Sequence, residues 1–383
     1  MRKFKKFLKW FFIVVLILVV GLAIFLRLRY GGGTTYKDIS TAPKYNQSQT
    51  ELFFSYPEPI GNVAASSDTS MKTRVFFTIH PESRPETNKL MEIVNGKAVP
   101  YPNAAAQSKL FNTVLGVFVD AQNRLWTIDH GQHGFKDVKL LAFDLKTNQL
   151  AHEYVFPGKV GESFSFFNDL TVSPDGRYVF VADVSFLGRN PSLVVYDTQT
   201  KKSRRLLDNH PSVKDEGYVP VTPAKKMRFF GGVVDLLTGI DGLDLSRDGK
   251  YVYYAPMGGS GLYRVLTATC VDFSKSLEEV AKSVERIADK PLSDGIRTDE
   301  AGNVYITDIE HQGIYVVTPE KKGYTLIKDK RIRWADGLAL ASDGYFYLAD
   351  SDIPNQMLQS KSHMRKYAPY HIYRFKRIQS KSS

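Results

Sequence analysis

The chain has 383 residues, a net charge of +11 and a single cysteine. That length can bury a large core, and a lone thiol excludes an internal disulfide framework. Residues 1–30 hold seven Lys/Arg and no acid, so 44 basic against 40 acidic side chains, +4, remain on the other 353 residues; so balanced a surface argues against a nucleic-acid footprint.

The first 30 residues read as a basic head followed by an anchor. Residues 10–26 are seventeen positions without a charge, the lower limit for a helix that spans a bilayer. Five positive charges precede this run and two follow it, which places the amino terminus in the cytoplasm and exports the rest. No Ala-x-Ala-like site follows the apolar run, which ends Leu-Arg-Leu-Arg, so an uncleaved anchor is expected rather than a removed signal peptide. Residues 31–49, Gly-rich and then polar, read as a flexible tether.

From residue 50 to 378 one pattern repeats. Asp241-Gly-Leu-Asp-Leu-Ser246 leads through Asp248-Gly249 into Tyr251-Val-Tyr-Tyr-Ala255 and then Leu262-Tyr-Arg-Val265: a short strand, a two-residue hairpin, a return strand and a third strand. Asn168, Asp294 and Asp336 open three further copies, and weaker ones start near Leu115 and Asn62, the latter with a first strand over residues 62–68. Six copies of one strand order predict an all-β, six-bladed β-propeller behind an N-terminal transmembrane helix. The last copy supplies three strands, so residues 50–57, with Leu52 to Tyr56 as the strand, are expected to close its open edge. Residues 379–383 are a polar tail. Ser276-Leu-Glu-Glu279 is a capping box that predicts a helix over residues 277–288. Cys270 reads as a buried, inert thiol.

In a propeller blade the residue before the first strand and the residue after the second lie on one face. Asn168, Asp241, Asp294 and Asp336 occupy the first place; His80, Asp129-His130, Asp183, Asp308 with His311, and Asp350 occupy the second. Radial symmetry carries them toward one channel mouth. A single Asp before Gly often caps a turn, and His130-Gly-Gln-His133 has a metal-compatible spacing that loops also carry without a metal. Collectively, crowded carboxylates raise one another's pKa unless a cation or donors compensate, and Ca²⁺, with six to eight oxygen ligands, is one candidate. Phe164, Phe166, Phe167, Phe186, Phe229, Phe230 and Trp334 fall near the same mouth. Aromatic walls over carboxylates suit a cationic amine. No Gly-x-Ser-x-Gly elbow, zinc-protease helix or phosphate-binding Gly loop is present.

Three stretches, Leu206-Leu-Asp-Asn-His-Pro-Ser-Val213, Asp241 through Leu262-Tyr-Arg264, and Ser293-Asp-Gly295 through Tyr305-Ile-Thr-Asp-Ile-Glu-His311, resemble the yellow/major royal jelly protein family in its bacterial form. The resemblance runs from about Val63 to Phe375. It implies a propeller that works outside the cytoplasm, with a channel that binds small amines or pigment precursors in some insect members. More loosely, the chain is similar to the gluconolactonase/senescence-marker propellers, which are metal-dependent lactone hydrolases. That second resemblance implies metal ligands at Asn168, Asp241 and Asp294, with Asp241 or Asp294 as catalytic base. Gly61 stands where those enzymes carry a Glu.

The expected function is therefore a membrane-anchored extracytoplasmic propeller that binds a small molecule, a cationic amine fitting best. Asp129, His130, Asp183, Asp308, His311, Asp336, Asp350 and Phe167 are the candidate contacts. The alternatives are a Ca²⁺-type metal-dependent lactonase and a protein-interaction platform. The partners expected are the small molecule and, through the helix, the membrane, with no nucleic acid.

Overall fold

A computed structural model describes residues 2–66 and 72–378; Asp68, the expected end of the first strand, and the 379–383 tail lie outside the described residues. Six four-stranded antiparallel sheets form the body. Their first strands are Ile60–Ala65, Val114–Val119, Phe167–Val172, Ile240–Leu245, Ile296–Thr298 and Ala335–Leu340, for blades one to six in that order. Each first strand neighbours that of the next blade, and the sixth returns to the first, so the ring is closed. The class is the expected six-bladed β-propeller.

The inner strands are buried on both faces, so they are mostly apolar or small, and the polar side chains they carry, such as Asn62 in Ile60–Ala65, are buried with them. Hydrophobic clusters fill the wedges between neighbouring blades; one joins Phe180, Leu193 and Val195 of blade three to Leu243, Val252 and Tyr254 of blade four. The outer strands differ. Gln149–Val155 of blade two alternates exposed and half-buried residues, and such a polar edge carries little apolar signal. The repeat therefore reads as three strands in sequence and four in space. In blade four this corrects the helix expected over residues 277–288. The capping box forms, Ser276 accepting from the Glu279 amide and Glu279 from the Ser276 amide, but the helix stops at Ala281 and Glu285–Asp289 pairs with Gly261–Leu266 as the outer strand. Pairing satisfies a strand edge that a longer helix would leave open.

Glu51–Tyr56 pairs antiparallel with Tyr370–Lys376 as the fourth strand of blade six. Phe54 and Tyr56 also pack on Phe77 of blade one, at 5.7 and 5.2 Å between ring centroids. One strand thus covers an edge and joins the last blade to the first. Cys270 is fully buried, and burial pushes its thiol up to about 12.

The amino-terminal helix runs from Arg2 to Tyr30. Residues 3–30 are long and apolar enough to cross a membrane, by length and composition. The segment expected as a flexible tether is instead bonded to the propeller. Gly33 donates to Asp235, Thr34 bridges to Tyr218, Thr41 exchanges bonds with Thr325, and Tyr45 donates to the Leu326 carbonyl. Backbone amides find partners on blade five and on the connection before blade four, and that fixes the strap.

Candidate functional site

The inner strands do not start regularly. In blades one, two, three, four and six the register with the second strand shifts at the beginning of the first strand, as between Phe167 and Leu170 or Ile240 and Gly242. A bulge re-aims side chains, and here it accompanies Asn168, Asp241 and Asp336 at the mouth. In blade five the strand begins at Ile296, and the amide of Asp294 is held by the Thr307 hydroxyl at 2.9 Å. The glycine after each Asp is not a turn residue. A Cβ on Gly242 would stand 2.6 Å from the Asp294 carbonyl oxygen, and one on Gly295 2.6 Å from that of Asp336. Only glycine lets adjacent inner strands approach so closely, and the repeated Asp-Gly follows from this.

The polar groups form a row across four blades. The Asn168 amide nitrogen donates to Asp241. The Trp334 indole N–H donates to Asp294 at 2.7 Å, and the Asp294 carboxyl is close enough for its charge to act on Asp241. Asp336 stands beside them, and all four row residues are buried. Burial is the main cause that raises Asp294, to about 7, against the opposing Trp334 bond. Burial also pushes Asp241 and Asp336 well above the usual carboxylate range, and the negative charge of Asp294 adds to it in both. Asp169, behind Asn168, is raised to about 6, again mainly by burial. Like charges this close and this dry hold protons rather than ionise together.

The row is the floor of a cavity of about 370 Å³. Its walls are mostly apolar: Val184, Leu236, Met257, Ile353, Phe229 and Phe230 among them. Among the described residues, none that lines it is Lys or Arg. On the side of blades one and two the lining is His80, Glu82 and His133. The His133 Nε2 meets a Glu82 carboxylate oxygen at 3.1 Å. Burial would raise Glu82, but the bond and charge of His133 outweigh it and hold it down to about 2. His80 is held down to about 4, chiefly by burial.

Several expected contacts lie elsewhere. Asp129 accepts from the amides of Asn112, Thr113 and Gly131. Asp183 accepts from the Phe166 and Ser185 amides and pairs with Arg205 at 2.7 Å. Asp308 accepts from the Glu310 and His311 amides, and Asp350 from those of Arg333 and Trp334. These four carboxylates tie the second strand of a blade to nearby loop backbone, and none reaches the cavity. His311 is paired with Asp308 and with Asp38 of the strap. His130 is buried, its Nδ1 accepting from the His133 amide under the Phe166 ring, so His130 and His133 do not converge on a common ion. Phe167 belongs to the core, edge-on to Phe156 at 5.0 Å. Phe166, Phe186, Phe229, Phe230 and Trp334 do line the cavity; Phe164 does not.

Asn168, Asp241 and Asp294, expected as ligands of a Ca²⁺-like ion, stand in a row in which Asn168 already donates to Asp241 and Trp334 to Asp294. Among the described residues, no three His, Cys, Asp or Glu side chains are gathered closely enough to hold a metal ion. Their compensation is by donors and protons, and the donor set as it stands does not fit the six to eight oxygens of a calcium site.

A closed ring of six blades with an apolar vestibule over a carboxyl floor defines a six-bladed propeller with a pocket at its channel mouth. The chain matches the family described as "Major royal jelly protein" over residues 112–366, and it belongs to that family. A curated relative, major royal jelly protein 3 from Apis mellifera, is 28% identical over 184 residues, 44% of this chain. The match spans 32% of that relative's length. Among solved structures, a gluconolactonase from Xanthomonas campestris is similar with a TM-score of 0.54 at 13% identity, over 91% of this chain and 98% of that one. A calcium-binding regucalcin from Agrobacterium tumefaciens gives 0.53 at 11%, over 85% and 93%. At these identities the likeness is one of fold.

Proposed function

We propose that this protein binds a small cationic amine in the mouth of its channel, its ammonium on the Asp241–Asp294–Asp336 floor and its apolar body against the walls. The observation that carries the reading is the pairing of three buried carboxyls with a cavity lining that includes no described Lys or Arg. A bound cation supplies what the site lacks, and it displaces a proton from the Asp294 carboxyl. The aromatic rings of Phe166 and Trp334 add faces suited to the same charge. The amino-terminal helix is retained, in this reading, as an anchor, with the propeller on the extracytoplasmic side and the basic head on the other.

The test is calorimetric titration of the full chain with phenethylamine and, in parallel, with uncharged 2-phenylethanol. The amine should bind and the alcohol should not, and Asp294→Asn together with Asp241→Asn should weaken the amine at least about tenfold, about 1.4 kcal/mol. Because Asp294 titrates near 7, affinity should rise about tenfold from pH 6 to pH 8. Equal binding of amine and alcohol rejects the reading.

One observation favours a second reading. Asp241 and Asp294 both line the cavity, and burial raises both above the usual carboxylate range, which suits general acid–base work on a small lactone. Turnover of simple lactones that disappears in Asp241→Asn, with the fold intact, would select it.

A further inference from the structure

The helix that precedes the propeller does not leave from an arbitrary point. Leu26 and Tyr30, in its last turns, line the channel-mouth cavity itself. Its end is bonded to the loops that rim this cavity. Arg27 donates to the Gly232 carbonyl at 3.0 Å and reaches Asp235 at 3.5 Å. Arg29 donates to the Gly188 carbonyl at 2.8 Å, and the Tyr30 hydroxyl to that of Leu187 at 2.6 Å. Asp235 is fully buried and also takes Arg228 and the Gly33 amide. One carboxylate thus clamps the helix end, the strap and the hairpin that carries Phe229 and Phe230.

Above this clamp the helix is free of the propeller: its apolar window is 0% buried. The rim around it is unusually apolar for a water-facing surface, with Phe230 69% and Leu358 56% exposed. Length adds a force. Seventeen uncharged residues rise about 25 Å, short of a hydrocarbon core of about 30 Å. A helix shorter than its bilayer is met by local thinning, which brings the lipid surface toward its flanks, and the flank at this end is the cavity rim.

We infer that the channel mouth faces the bilayer in which the helix is seated, with Phe230 and Leu358 dipping into the headgroup boundary, and that the ligand is an amphiphile taken from that surface. The docking rests on the helix being retained as an anchor; the ligand class rests in addition on the amine-binding reading. An amphiphile enters with its charged head toward Asp294 and Asp241 and its chain along Leu236, Met257 and Leu26, so it need not cross open water.

The experiment places a nitroxide at Phe230→Cys, at Leu358→Cys and, as a control, at Lys250→Cys on a blade-four hairpin at the opposite end of the channel. The full chain is seated in nanodiscs of phosphatidylcholine and phosphatidylglycerol. Cys270 is buried and stays unlabelled. Power saturation should show labels at 230 and 358 relaxed by oxygen and shielded from a water-soluble nickel chelate, and the label at 250 the reverse. Nickel access at 230 and 358 equal to that at 250 overturns the docking. So does dipolar broadening at 230 that grows with chains per disc, which would mean that a second copy covers the mouth. Amine titration of the same discs is read separately: a shielded rim without amine binding keeps the docking and rejects the ligand class, and amine binding with an aqueous rim does the opposite.

Discussion

Asp294→Asn should make the protein more stable at neutral and alkaline pH. In the folded chain Asp294 holds its proton up to about 7, against 3.8 for the free group. A carboxyl raised by folding contributes fully to stability below its unfolded value, and the contribution is lost as pH rises through the folded one. The window is therefore about pH 4 to 7. A difference of about three pH units corresponds to about 4 kcal/mol at most. The Asp294 charge also acts on Asp241, so the two titrate as a pair and roughly half of this is expected for one substitution. Asn cannot ionise, and its oxygen can still accept the Trp334 N–H. Thermal unfolding of the full chain in detergent should then show the variant's midpoint a few degrees above the wild type at pH 8 and coincident with it near pH 4. A wild-type midpoint that is flat from pH 5 to 8, with no gain in the variant, would refute the idea that burial strains this carboxyl.

The strand-end carboxylates should behave oppositely. Asp183→Ala leaves the buried Arg205 guanidinium and the Phe166 and Ser185 amides short of their acceptor, and should cost about 3–5 kcal/mol in urea unfolding; a loss below about 1 kcal/mol would mean the pair is not needed. Deleting residues 50–57 exposes the Tyr370–Lys376 edge and uncovers Phe77, so the melting temperature should fall sharply, and an unchanged value would sink the closing-strand account.

The ring itself is legible in the chain because the blades repeat one strand order, three of them with an Asp-Gly hairpin at Asp175-Gly176, Asp248-Gly249 and Asp343-Gly344. What does not read out is the orientation of a carboxylate at a strand end. Topology puts Asp129, Asp183, Asp308, Asp350, Asp241, Asp294 and Asp336 on one face, and composition cannot tell them apart. Nor does any periodicity announce that Arg27 meets Asp235, 208 positions away, or that the strap is bonded rather than loose. Glu82 and His133 were reachable. Blade one follows its second strand, Val75–Ile79, with His80 where four other blades have Asp, and a break in a repeat marks the place where the common structural role has been given up.

Counting local donors separates the two kinds of Asp. Each of Asp129, Asp183, Asp308 and Asp350 accepts from at least two backbone amides, which is the reason a buried carboxylate is present there at all. Asp241 takes one side-chain amide and Asp294 one indole N–H, far less than two buried carboxylates require. Burial without compensation costs stability. The chain keeps this arrangement where an apolar cavity opens onto it, so the missing partner is supplied from outside the fold: a proton when the site is empty, and in our reading a ligand's positive charge when it is filled.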